Sequence, residues 1–316
     1  MNILIELLAL IAVAVLLISA GFRAWRIGNR LLKWSGVALA AVLALAVLSV
    51  STVTIAGMIK QHARHAPVPD IKAEMTPERI ARGKTITDSF CDGCHTKTAP
   101  LTGGVEIGEH FPIPVGSFVT SNLTPAGSLK RWSDGEIFRA IRNGIGADGR
   151  WLTVMSYTNS GRLSDDDTLA VIAYLRSMSA AGTPTPEPPD RLNLLGVAML
   201  GAGMLPGGKP VLRDHISAPP KGPTVEFGEY ILSYQDCREC HGARLTGGVA
   251  GQLAPIGPGL NFVKEWKLAE FIATMRTGVD PTGHHISEKM PWRPVGRMDD
   301  DELAAVYEYI KQLPDT

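Results

Sequence analysis

The sequence predicts a mainly α-helical chain in which a two-helix transmembrane hairpin precedes two tandem copies of one small helical domain. Three observations lead to this class. Two apolar runs, Ile3 to Phe22 and Ser35 to Ile59, open the chain. A short pattern, C-x-x-C-H, occurs at Cys91 to His95 and at Cys237 to His241 and uses all 4 cysteines. Downstream of each pattern the same residue types return at the same spacing.

The apolar runs, about 20 and 25 residues long, are each long enough to cross a hydrocarbon core. They explain how a chain with 33 Gly and 22 Pro reaches 45% hydrophobic residues and a mean hydropathy of +0.08. The opening residues MNILIE carry Glu6 and no basic side chain, so the first run reads as a span rather than a cleavable leader. Between the runs lie Arg23, Arg26, Arg30 and Lys33 with no acid. The positive-inside rule puts that loop in the cytoplasm and both chain ends outside. Trp25 and Trp34 stand at the two loop-side ends of the runs, where interfacial indoles belong. Neither run contains His, so histidine ligation of a haem inside the bilayer is not available within this chain.

Lys+Arg and Asp+Glu are equal at 31 each, which gives no basic footprint for nucleic acid. Residues 1–60 hold five basic side chains and one acid, so the rest of the chain is mildly acidic.

The second cysteine pattern opens 146 residues after the first, at Cys237 against Cys91. Leu101-Thr-Gly-Gly-Val105 recurs as Leu245-Thr-Gly-Gly-Val249, and the pairs Trp132/Gly144 and Trp266/Gly278 are equally spaced. Apolar residues Ile137, Phe138 and Ile141 in one half, and Leu268, Phe271, Ile272 and Met275 in the other, repeat at helical spacing. Each half closes with an acid-led helix, over Thr168 to Met178 and Leu303 to Leu313, with Ser164 and Asp299 as N-caps. The expected order in each half is helix, C-x-x-C-H, loop, helix, loop, helix. The chain divides into a hairpin over 1–60, a linker over 61–75, a domain over 76–182, a linker over 183–220 and a domain over 221–316. Pro184 to Pro189 marks the exit from the first domain. The apolar stretch Leu192 to Leu205 is too short to span a bilayer. It reads as lying on the membrane surface, docking a partner, or forming a buried strap between domains.

A C-x-x-C-H segment attaches haem c: each thiol adds across a vinyl group, and the adjacent His reaches the iron. Zinc could use two Cys pairs but has no need of a His directly after each. A thioredoxin-like pair belongs near a βαβ pattern, and structural disulfides would not need the His at all. The expectation is therefore two covalently bound haem c groups, on Cys91, Cys94 and His95 and on Cys237, Cys240 and His241. Met155 and Met290 are the candidate sixth ligands, each eight residues before Leu163 or Met298 ahead of its closing helix. Met opposite His makes an electron-transfer iron of raised potential. Met275 and Met298 superpose on Ile141 and Leu163 and so read as core, as does Met178. His284 and His285 compete in the second half and His110 in the first, although solvated loop histidines are commoner. His62, His65 and His215 receive no role. Arg142 and Arg276, at matching positions, read as partners for haem propionates or as a solvated helix face. Trp132 and Trp266 read as core or as packing on a haem edge.

On Cys91 to His95, Cys237 to His241, Asn122-Leu-Thr-Pro125, Arg131-Trp-Ser-Asp134, the Leu-Thr-Gly-Gly repeats and the methionine registers, the chain resembles the cytochrome c subunits of membrane-associated periplasmic dehydrogenases. More broadly it resembles the class I cytochrome c family over residues 76–316. The resemblance implies two class I cytochrome c domains, irons ligated by His95 with Met155 and by His241 with Met290, and electrons accepted from a catalytic subunit. Those relatives often carry three such motifs and a signal peptide, whereas this chain has two motifs and begins with a hairpin. The expected setting is the cell inner membrane, with the haem domains facing the periplasm. Expected partners are a donor dehydrogenase or quinol-linked complex and an acceptor cytochrome or terminal oxidase. A dihaem peroxidase, with one open iron, is the competing class, and gas sensing ranks third.

Overall fold

The computed structural model describes residues 3–205, 207–252 and 254–314. Its helices are α1 (Ile3–Trp25), α2 (Arg30–Lys60), α3 (Pro77–Ile86), α4 (Asp92–His95), α5 (Asp134–Asn143), α6 (Asp165–Ser177), α7 (Leu194–Gly201), α8 (Val225–Tyr234), α9 (Cys237–His241), α10 (Leu268–Thr277), α11 (Trp292–Val295) and α12 (Asp300–Lys311). Strands β1 (Gly116–Phe118) and β2 (Asp190–Leu192) pair antiparallel, with Gly116 opposite Leu192. The chain forms two compact units, one of Met1–His65, Glu106–Phe118 and Asp190–Gly208, the other of Ala66–Val105, Val119–Pro189 and Lys209–Thr316.

In the first unit, α1 and α2 are long and apolar enough to cross a membrane. Asn29 starts α2, its Oδ1 accepting from Leu31 N at 3.0 Å and Leu32 N at 3.3 Å. At the turn the Trp25 and Trp34 rings meet edge to face at 5.3 Å, and the Lys33 ammonium lies 4.0 Å from the Trp25 centroid. Small residues let the helices approach: Ala14, Ala40 and Ala44 are buried, and a Cβ on Gly36 would lie 3.0 Å from that of Ala24. The large side chains Leu8, Leu16, Leu31 and Leu45 point away from the contact and are exposed, the arrangement that suits packing in lipid. The short apolar stretch forms α7, which packs on α2 within this unit.

In the second unit each half crosses its opening helix over its closing helix at a glycine. A Cβ on Gly83 would meet Ala170 O at 1.9 Å, and one on Gly228 would meet Ala305 O at 2.0 Å. Ala170 and Ala305 each stand six residues after the N-cap of their helix, so the two crossings are equivalent. Both caps expected from sequence are formed: Ser164 Oγ accepts from Asp167 N at 3.0 Å, and Asp299 Oδ1 accepts from Glu302 N at 2.9 Å. The helices α5 and α10 end at Gly144 and Gly278, whose φ values of 60° and 71° are those of left-handed C-caps. Buried Ile86, Ile172, Phe227, Ile231, Leu303 and Ile310 belong to one apolar cluster shared by the two halves. Met275 and Met298 lie in it, as the superposition of the halves requires, and Met178 packs against it.

One ion-pair network sits within that core. Arg82 on α3 bonds Asp167 through Nε at 2.7 Å and Nη2 at 2.8 Å, and its Nη1 donates to Glu302. Asp167 and Glu302 occupy the same position, three residues past the N-cap, in α6 and α12. The Tyr230 hydroxyl donates to Asp167 Oδ2 at 2.6 Å and accepts from Ser164 N at 2.9 Å. The single guanidinium thus joins the first turns of both closing helices.

Candidate haem centres

The first C-x-x-C-H segment begins at Cys91, the last residue of the π-helical turn Thr87–Cys91 that continues α3, and runs on through α4. The second lies on α9, which begins three residues after the last residue of α8. Cysteines at i and i+3 on a helical turn share one face. No disulfide joins any of the four cysteines. Burial pushes the Cys91 and Cys237 thiols up to about 12, so they stay neutral.

The histidines are held alike. His95 Nδ1 lies 2.9 Å from Ser121 O, and His241 Nδ1 lies 2.7 Å from Pro258 O. A carbonyl only accepts, so Nδ1 carries the proton and Nε2 is left with its lone pair for a metal. Burial holds His95 below the ordinary imidazole range and keeps it neutral. An equivalent strained turn follows each histidine: Leu101 and Leu245 have φ of 58° and 57°. Gly103 N then donates to His95 O at 2.7 Å, and Gly247 N to His241 O at 2.8 Å. A Cβ at Gly257 would lie 2.8 Å from His241 Nδ1. Asn122 anchors the loop beside His95, its Nδ2 donating to Ala181 O at 2.8 Å and to Thr183 O at 3.1 Å. Neutral paired thiols, plus an imidazole presenting Nε2 on the next residue, fit haem c.

Met155 and Met290 follow equivalent hairpins, closed by Ile145 opposite Trp151 and by Val279 opposite His285. Both methionines are half-buried; Met155 opens a short turn through Tyr157, and Met290 packs against the core cluster. His284 and His285 are exposed. His110 is exposed and belongs with the hairpin unit. Trp132 and Trp266 are half-buried against the core. Of the matching arginines, Arg142 bonds Asp165 Oδ1 at 2.8 Å and Leu163 O at 2.9 Å, and Arg276 bonds Asp300 Oδ1 at 2.9 Å. Each arginine answers the acid that follows its closing helix's N-cap, because an aspartate in the first turn is already fixed there by the helix dipole.

Sequence reasoning missed a reciprocal clasp between the halves. Asp92, inside the first motif, pairs with Arg297. Asp236, just before the second motif, accepts from Asn159 N at 2.9 Å and Nδ2 at 2.7 Å, and Glu239 inside it accepts from the same Nδ2 at 3.0 Å. Lys209 Nζ completes that side on Asn159 Oδ1 at 2.7 Å. Asn159 stands four residues after Met155 and Arg297 seven after Met290, so the loop after each methionine grips the other half's motif. No local pattern marks residues so far apart in sequence.

If each cysteine pair anchors its own haem, Cys91→Ala with Cys94→Ala should leave one haem per denatured chain where the native chain keeps two. Pyridine haemochrome absorbance after acid-acetone extraction measures this directly, and complete extraction from the native chain would exclude covalent attachment.

Residues 227–314 match the family model described as Cytochrome c. Residues 78–175 match that described as Cytochrome C oxidase, cbb3-type, subunit III. The chain is 27% identical over 276 residues to the alcohol dehydrogenase (quinone) cytochrome c subunit of Gluconobacter oxydans, covering 74% of this chain and 55% of that protein. It is 33% identical over 106 residues to one of the nicotinate dehydrogenase subunits of Pseudomonas putida, covering 32% of this chain and 9% of that one. The chain therefore spans about half of the first relative and a small part of the second. With a C-x-x-C-H segment inside each matched region, two covalently bound haem c groups and a helical hairpin ahead of them, this chain is a mainly α-helical dihaem cytochrome c resembling the cytochrome subunits of dehydrogenases.

Proposed function

We propose that the chain is a membrane-anchored relay for single electrons in a periplasmic respiratory chain, acting as the electron-transfer subunit of a dehydrogenase or oxidoreductase complex. The observation that carries this reading is the equivalence of the two centres: each has a carbonyl-pinned histidine, a strained Leu turn following it and a half-buried methionine after a matching hairpin. Bound haem supplies a one-electron iron couple. The protein's part is to fix and tune it. His95 and His241 would hold the iron through Nε2 and Met155 and Met290 through thioether sulfur, and the cysteines would fix each group to its helix. The Asp92–Arg297 and Asn159–Asp236 contacts hold the two attachment segments in one unit. A peroxidase would need unlike centres, one of them open.

The anchor is α1 and α2, set in the cell inner membrane with the Arg23 to Lys33 loop in the cytoplasm and the haem domains in the periplasm. The donor is a dehydrogenase or quinol-linked complex and the acceptor a cytochrome or terminal oxidase. Membranes lacking this chain should lose oxygen consumption on at least one periplasmic substrate while a soluble dye still draws electrons from the upstream enzyme. Unchanged respiration on every such substrate, or loss of the dye reaction as well, contradicts the relay.

A further inference from the structure

We propose that α7 and the turn after it lie in the edge of the bilayer beside the C-terminal end of α2, their outer face covered by lipid acyl chains. The inference rests on reading α1 and α2 as membrane spans. Depth is the first argument. A Cβ on Gly201 would meet Val53 O at 1.7 Å and one on Gly57 would meet Val197 O at 1.9 Å, so the two backbones touch with no side-chain layer between them. The pairing of 197 with 57 and of 201 with 53 makes α7 antiparallel to α2. Val53 to Ile59 covers about 9 Å of helix rise, so α7 sits alongside the last turns of the apolar run and not beyond it.

Backbone satisfaction is the second argument, because lipid offers polar groups no partner. The last carbonyls of α7 are met inside this unit: Lys60 Nζ donates to Leu200 O at 3.1 Å and to Gly201 O at 2.9 Å. Ala202 N donates to Ala198 O at 2.9 Å, and Met204 N to Met199 O at 2.9 Å. At the other end Asn193 Oδ1 accepts from Gly196 N at 2.9 Å. A helix end facing water would not need a lysine reaching back along α2 to close it. Charge is the third argument. No ionisable residue occurs from Leu194 to Leu205, yet Leu195 is 49% and Met204 67% exposed, beside Ile55 and Ile59 of α2 at 44% and 67%. That apolar surface is continuous with the lipid-facing surface of a span, which identifies acyl chains as its occupant.

The test uses the full haem-loaded chain in lipid nanodiscs, where the native thiols are consumed by haem. Single substitutions Leu195→Cys, Met204→Cys, Leu43→Cys and His284→Cys are spin-labelled, and collision rates with oxygen and with a water-soluble nickel chelate are compared. The oxygen-to-nickel ratio at 195 and 204 should match that at Leu43, in the middle of α2, and exceed that at exposed His284 several-fold. Ratios at 195 and 204 equal to that at 284 while 43 stays lipid-like overturn the inference alone. A water-like ratio at 43 overturns the spanning reading beneath it. Labels at 195 and 204 shielded from both reagents, the mark of cover by a second copy, also overturn it. Met204→Trp gives a label-free check, since brominated acyl chains should quench the emission this variant adds over that of the native chain and should leave that added emission unquenched if the inference fails.

Discussion

Replacing Arg82 with Met should destabilise the cytochrome unit by about 3–5 kcal/mol at neutral pH, because a buried ion pair that loses one partner leaves the other charge uncompensated. Arg82 is the only guanidinium on both Asp167 and Glu302 among the described residues, and the Glu302 side chain is 1% exposed. Burial pushes the Glu302 carboxyl above its ordinary value in spite of the guanidinium. A carboxyl whose folded value is raised contributes stability that is present below the unfolded value and lost as pH rises through the folded one. Without Arg82 that folded value moves further up, so the deficit of the variant is largest at neutral pH and shrinks as the solution is acidified toward the carboxylate range. Adding Glu302→Gln should recover much of the loss. Denaturant midpoints of the full chain, followed across pH, measure both effects. A midpoint for Arg82→Met equal to that of the native chain would show that the shared apolar cluster alone holds the halves together.

The second large effect is expected at the methionines. Met155→Ala and Met290→Ala should each remove about half of the near-infrared charge-transfer band of methionine-ligated ferric haem and lower one of the two potentials. Met275→Ala and Met298→Ala should leave the band intact, since both side chains are buried in the apolar cluster. They should cost stability instead, about 2–5 kcal/mol each. The two ligand loops are not identical in register: Met155 follows its hairpin bridge at Trp151 by four residues and Met290 follows His285 by five. The extra residue lies between His285 and Met290, since both methionines stand eight residues before Leu163 or Met298. Loss of the band from the core variants, with the loop variants unaffected, would put the ligands in the wrong positions.

Much of this was legible in the sequence where physical constraints are local. Apolar runs of membrane length, a motif whose spacing is imposed by vinyl and iron chemistry, and caps such as Ser164 and Asp299 each act within a few residues. What escaped depends on tertiary placement. Arg82 meets Asp167 across 85 residues and Glu302 across 220, and nothing in the helix around Arg82 signals either partner. Arg142 and Arg276 stand at matching positions, and the matching acids one residue past the N-caps pair with them. The stretches 106–118 and 190–208 join the hairpin unit through the β1–β2 pair and the glycine contact of α7 with α2, a union that no periodicity encodes.

Closed coordination at both irons is what separates a relay from a peroxidase, and carbon monoxide reports it most directly. The purified full chain, reduced and exposed to carbon monoxide at neutral pH, should keep its Soret spectrum, with no adduct in either domain and no rapid turnover of added peroxide. A carbon monoxide adduct on one haem per chain, together with a high-spin signal in the oxidised state and fast peroxide reduction, would contradict the relay.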